Sequence, residues 1–117
     1  MPDYTTKSKL FHLLALENRL HILDELRYGD ACVCHLQHRL EKPQTYVSQQ
    51  LRILKDAGVV DTNRDGVNIF YRLIDPLIRQ LLDLALGPVD VQRPVDVRCP
   101  CPRCAGEKGD GNESSSI

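Results

Sequence analysis

Residues 44–73 read QTYVSQQLRILKDAGVVDTNRDGVNIFYRL, and the change of period inside this stretch decides the fold. Up to Asp56 the spacing is helical: Val47, Leu51 and Leu54 form one apolar stripe, while Thr45, Gln49 and Arg52 share the opposite face. Gly58 supplies the stop. Beyond it the period becomes extended. VVDTN and VNIFYRL are rich in β-branched and aromatic residues, and the RDG between them carries the Asp-Gly signal of a tight hairpin with its tip at Asn63 to Gly66. A helix with a polar outward face leads directly into a two-stranded β-wing.

Upstream, Leu10, Leu13 and Leu14, then Leu20, Leu23 and Leu26, recur at spacings of three and four, which predicts a first helix that blends into a second around Glu17 and Asn18. RYGD breaks the pattern, with Gly29 suited to a helix C-cap and Asp30 to the N-cap of the next helix. A short third helix is expected through Val33, Leu36 and Leu40, with Pro43 ending it or opening its successor. Downstream of the wing, Asp75 and Pro76 make an N-cap and first-turn pair for a last helix, PLIRQLLDLAL, closed by Gly87 and Pro88. Its apolar residues cover more than one face. A terminal helix of that kind needs a second surface over it, and the same helix of another copy is the simplest one.

At 117 residues, with 42% hydrophobic and 5% aromatic content and no Trp, the chain suits one modest domain and gives little support for a large aromatic ligand pocket. Net charge is −1 overall. Residues 42–73 are nevertheless positive, with Lys42, Arg52, Lys55, Arg64 and Arg72 against Asp56, Asp61 and Asp65. No apolar run is long enough to span a bilayer, and MPDYTTKSKL lacks the apolar block of a signal peptide, so a cytoplasmic protein without membrane contact is expected. From Pro88 periodicity is lost. PVDV occurs at 88–91 and again at 94–97, then CPCPRC places Cys99, Cys101 and Cys104 together, and GEKGDGNESSSI reads as a disordered polar tail. Residues 1–88 therefore form the expected domain and 89–117 a flexible cysteine-containing tail. No nucleophile paired with a base, no paired carboxylates and no phosphate-cradling Gly loop appear, which argues against an enzyme.

Short helix, turn, polar-faced helix and hairpin, in that order, make a winged helix-turn-helix: mainly α, with a small β-hairpin. Such a helix fits the DNA major groove, where Thr45, Tyr46, Ser48 and Gln49 are the candidates to reach base edges. Arg52 and Lys55 are placed to neutralise phosphates, and Arg64 on the hairpin to reach an adjacent backbone or minor groove. In isolation QTYVSQQLRIL is equally compatible with a plain amphipathic surface helix; the wing directly after it favours DNA.

LENRLHILDEL, ACVCHL, VSQQLRILKDAGVV and RDGVNIFYRL, in this order and at these separations, resemble the ArsR/SmtB family of dimeric, metal-responsive bacterial repressors. The resemblance covers about residues 8–87. It implies about five helices with a β-wing, a homodimer formed through the first and last helices, and a repressor that leaves operator DNA when an ion binds. VSQQLRIL occupies the recognition-helix motif, with Gln49 and Gln50 where histidines are more frequent. CVC at the start of the third helix matches the arsenite-, cadmium- and lead-sensing motif, which implies thiolate ligands at Cys32 and Cys34. Two features differ from it: Gln37 stands where the arsenite version has a third cysteine, and His35 where Asp is common. The N-terminal cysteines of the cadmium and lead version are missing, as is any His in the last helix for the family's zinc site there.

Cys32 and Cys34 thus make half a site, which Cys99, Cys101 and Cys104 are suited to complete. The 12 residues from Gly87 to Cys99 extend to roughly 40 Å at about 3.3 Å each, so reach does not limit closure from either subunit. Soft ions, Cd(II), Pb(II), Zn(II) or As(III), favour such donors, and five cysteines permit three or four ligands. If residues 32–34 were fully helical, the two sulfurs would point about 200° apart, so sharing an ion requires the helix to start after Cys32 or unwind there. Three readings stay open beside this one: a self-contained trigonal As(III) site in the tail, a thiol redox sensor, and a structural zinc that pins the tail. His35 and His38 lie on one face as surface imidazoles or nitrogen donors, His12 and His21 are assigned to packing or surface, and the charges of LDEL to a solvated face.

Overall fold

The computed structural model describes residues 2–90. Cys99, Cys101, Cys104 and nearly all of the expected tail lie outside the described residues. The elements are α1 (Tyr4–Leu14), α2 (Glu17–Arg27), β1 (Ala31–Cys32), α3 (Val33–Leu40), α4 (Gln44–Asp56), β2 (Val60–Asp65), β3 (Asn68–Leu73) and α5 (Pro76–Leu86). This is the expected helix-turn-helix followed by a wing.

α4 matches its reading closely. Val47, Leu51 and Leu54 are fully buried, Pro43 stands at the N-cap, and Gly58 adopts φ 79° just past the end, a conformation that favours glycine. These side chains meet Ile22, Leu23 and Leu26 of α2, Leu36 and Leu40 of α3, Val60 and Leu73 at the root of the wing, and Ile78 and Leu82 of α5 in one core. Burying each such side chain stabilises by about 1.5–3 kcal/mol, so this cluster is the main source of the fold's stability. Asp75 caps α5 as expected, its Oδ1 accepting from the N–H groups of Leu77 and Ile78.

Four expectations are corrected. α1 and α2 do not merge: Leu16 is extended (φ −89°, ψ 126°) and opens α2 after a break at Ala15. Asp30 does not cap α3; Cys32 does, its Sγ accepting from the His35 N–H at 3.4 Å. The wing is part of a three-stranded antiparallel sheet of order β1-β3-β2, with Ala31 paired to Tyr71 and Cys32 to Phe70. Its turn also comes later than Asn63 to Gly66. The register runs from Val60↔Leu73 to Asp65↔Asn68, so Gly66 (φ 65°) and Val67 form the tip and Arg64 pairs with Ile69 inside the ladder. Two buried residues facing each other, Val60 and Leu73, set this register, because a one-residue slip would turn one of them to solvent.

α1 and α5 are under-covered. No α1 residue is buried, Tyr4 and Phe11 are exposed, and α5 buries only Ile78 and Leu82 while Leu84 is 86% exposed. No helix among the described residues is long and apolar enough to cross a membrane.

Candidate functional site

The polar face of α4 carries most of the predicted DNA contacts outward. Thr45, Gln49, Arg52 and Lys55 are exposed, Ser48 is half-buried, and Arg64 is exposed near the tip of the wing. Lys55 Nζ donates to Thr62 Oγ1 on β2 at 3.4 Å, which joins the end of α4 to the wing. Tyr46 is half-buried, and its hydroxyl accepts from Asn18 Nδ2 at 2.9 Å, so this side chain is held by α2. Gln50 departs from the motif-based reading that set it beside Gln49: it is buried, and its Oε1 accepts from Arg19 Nε at 2.8 Å. Exposed cations and short polar side chains on one helix face, continued by a wing, are groups suited to phosphate neutralisation and base-edge hydrogen bonding in one surface.

Cys32 and Cys34 come together at the junction of β1 and α3. Cys32 is the last residue of β1 (φ −86°, ψ 167°) and is 6% exposed; Cys34, in the first turn of α3, is half-buried. Cys34 and Phe70 of β3 pack against Cys32 in a small cluster apart from the main core. The helix thus begins after Cys32, the condition under which two cysteines two residues apart can turn toward one ion. Among the described residues no group of three or more His, Cys, Asp or Glu is arranged to hold a metal.

The charges of LDEL are not a solvated face. Glu25 is 2% exposed; its Oε1 lies 3.4 Å from His35 Nε2, and its Oε2 lies 3.4 Å from His21 Nε2 and accepts from Arg39 Nε at 3.3 Å. His35 is buried rather than a surface imidazole. The cluster joins α2 to α3 immediately beside the cysteines. Its sequence signal was Glu25 falling three residues after Ile22 on the inner stripe of α2, where an unpaired carboxylate would be costly. Arg27 is likewise inward: it donates to Asp24, to Asp83 Oδ1 at 2.7 Å and to the Gly87 carbonyl at 2.7 Å, tying α2 to the end of α5.

The family described as bacterial regulatory protein, arsR family, matches residues 17–62. The chain is 34% identical over 85 residues to an HTH-type transcriptional regulator of Methanocaldococcus jannaschii, MJ1325, covering 72% of this chain and 96% of that protein. It is 36% identical to the arsenic resistance transcriptional regulator ArsR1 of Pseudomonas putida (80% of this chain, 73% of that one). Against the repressor SmtB of Mycobacterium tuberculosis it is 45% identical, over 57% of this chain and half the length of that relative. Among solved structures, the antimony-specific repressor AntR superposes with TM-score 0.62 at 38% identity, covering 68% of this chain and 72% of AntR. The homodimeric winged helix-turn-helix domain of Mb0332 from Mycobacterium bovis superposes with TM-score 0.63 at 28% identity (70% and 76%).

Proposed function

The chain belongs to the arsR family of bacterial regulatory proteins, with the fold and relatives of DNA-binding transcriptional repressors rather than enzymes, and from that premise we propose that it is a thiol-based ion sensor. It binds operator DNA as a homodimer and releases it when a thiophilic ion, Cd(II), Pb(II), Zn(II) or As(III), is held by Cys32 and Cys34, with Cys99, Cys101 and Cys104 completing the ligand set. The observation that carries this reading is the strand-to-helix junction at Cys32, with Cys34 packed against it. Thiolates suit these soft ions, and the proteins this chain resembles include a regulator named for arsenic resistance and a repressor named as antimony-specific. The under-covered faces of α1 and α5 support association with a second copy, as in the homodimeric Mb0332 domain.

Release follows from where Cys32 sits. It begins α3, which packs on α4, and it pairs with Phe70, which leads into the wing. Cys32 and Cys34, on turning toward a shared ion, displace the start of α3 and the middle strand of the sheet together. The Glu25 contacts with His35 and Arg39 hold the body of α3 to α2, so the wing takes up much of the movement. A coupling of about 1–3 kcal/mol, typical between linked sites, is enough to lower operator affinity about 5- to 150-fold.

Gel-shift titration under strong reductant tests the proposal. Micromolar Cd(II), Pb(II) or As(III) should release the DNA from the native chain, and Cys32→Ser with Cys34→Ser should leave DNA binding intact but insensitive. Release by oxidant alone would replace ion sensing with a redox switch. Loss of folding in the cysteine variants would favour a structural zinc. Thiolate absorption on the intact chain and on one ending before Cys99 reports whether the tail supplies ligands.

A further inference from the structure

Asn18 and Arg19 are consecutive residues in the first turn of α2, and both reach α4. Asn18 Nδ2 donates to the Tyr46 hydroxyl at 2.9 Å and Arg19 Nε to Gln50 Oε1 at 2.8 Å. Tyr46 and Gln50 stand four residues apart, one turn of helix, so α4 is held at two points along one edge. Arg19 Nη1 also donates to the Leu13 carbonyl at 3.4 Å, in the last turn of α1, where carbonyls lack intrahelical partners. One guanidinium therefore joins the end of α1, the start of α2 and the buried side of α4.

The apolar stripe of α4 decides which face is buried, but hydrophobic contact is non-directional and tolerates small rotations. Hydrogen bonds do not: they weaken steeply as the donor angle falls toward about 120°. Neighbouring residues on a helix project about 100° apart, so holding Gln50 inward fixes where Gln49 and Thr45 point. Base-edge contacts from such short side chains need that precision, whereas Arg52, Lys55 and Arg64 reach phosphates on long, adaptable stems.

We propose that the Arg19–Gln50 and Asn18–Tyr46 pairs are positioning residues that set the rotation of α4 on DNA and thereby control sequence discrimination rather than overall affinity. The inference rests on the DNA-binding half of the proposed function and is independent of the ion.

The test uses the full chain and an operator selected by it from a random DNA pool, with affinity measured for that operator and for a scrambled duplex of equal length and salt. Gln50→Met and Arg19→Met should each lower operator affinity about tenfold, the double variant should fall no further, and scrambled-duplex affinity should stay within about twofold. Tyr46→Phe deletes one hydroxyl and leaves the ring in place; it should show a smaller loss of the same kind. Parallel loss on both duplexes, or an unchanged ratio in Tyr46→Phe and in whichever Met variants fold, overturns the inference while leaving DNA binding standing. Failure of the native chain to select any sequence overturns the DNA reading and the inference with it.

Discussion

Replacing Arg27 with Met removes a guanidinium that fastens the last helix, and the structure sets the size of the effect. The Arg27 side chain is 2% exposed and serves three acceptors, the carboxylates of Asp24 and Asp83 and the carbonyl of Gly87. Burial alone would lower its pKa, but the hydrogen bonds to Asp24 and Asp83 outweigh that and hold it above its ordinary value, so it is charged at every working pH. Three acceptors at about 1 kcal/mol net each give about 3 kcal/mol. That is the low end of the loss expected on breaking a buried ion pair. The low end applies because Asp24 and Asp83 are 29% and 47% exposed, and water can solvate the charges left behind. For a domain of this size, 1 kcal/mol shifts Tm by about 4–8 °C, so Arg27→Met should melt about 12–24 °C lower. Asp83→Asn, which keeps an acceptor, should lose about a third as much, and the two changes together should fall short of their sum. Thermal unfolding at one fixed chain concentration reads all three. A drop under about 3 °C, or strict additivity, would refute the account of Arg27 as the tether of α5.

Leu84→Glu should weaken the proposed self-association by more than tenfold in sedimentation while leaving the far-UV spectrum unchanged, because Leu84 is 86% exposed in the protomer and the proposed second copy is what would cover it. Arg52→Ala should weaken binding to all DNA sequences alike and reduce the slope of log affinity against log salt by about 0.9, the signature of one lost phosphate contact. The Asp3 carboxylate is held below its ordinary value of 3.8, chiefly by the Thr6 hydroxyl and then by the Thr6 N–H. Since the folded value is the depressed one, its cap on α1 is fully present above about pH 3.8 and fades as pH falls through the folded value. Amide exchange at Thr6 and Lys7 should accelerate there in the native chain and show no such step in Asp3→Asn.

Features that depend on local pattern were legible in the sequence. The α4 stripe, the Asp75–Pro76 start of α5 and the Gly58 stop are determined by neighbours within a few residues, and all appear as read. The two-residue β1 was not legible, since it has no period of its own and exists only through partners at Phe70 and Tyr71. The same holds for Asp30 and Cys32: either is chemically able to cap a helix, and tertiary pairing of Cys32 with Phe70 selects the cysteine. Charged residues were the least legible. Glu25 and Arg27 look solvent-bound because their partners, His35, Arg39 and Asp83, lie on other elements. Gln49 and Gln50 are a finer case: the two project about 100° apart, and Gln50, three residues after Val47, falls at the edge of the buried stripe, where Arg19 meets it.

The brevity of β1 has a kinetic side. Two residues of ladder are a small amount of structure to open, and local openings of that kind occur far more often than global unfolding. Cys32 therefore meets solutes at the frequency with which this edge breathes, while Cys34, only half-buried, is reached without that opening. A thiol reagent should label Cys34 before Cys32, with the slower rate insensitive to reagent concentration once opening becomes limiting, and the response time of the proposed switch inherits that gate.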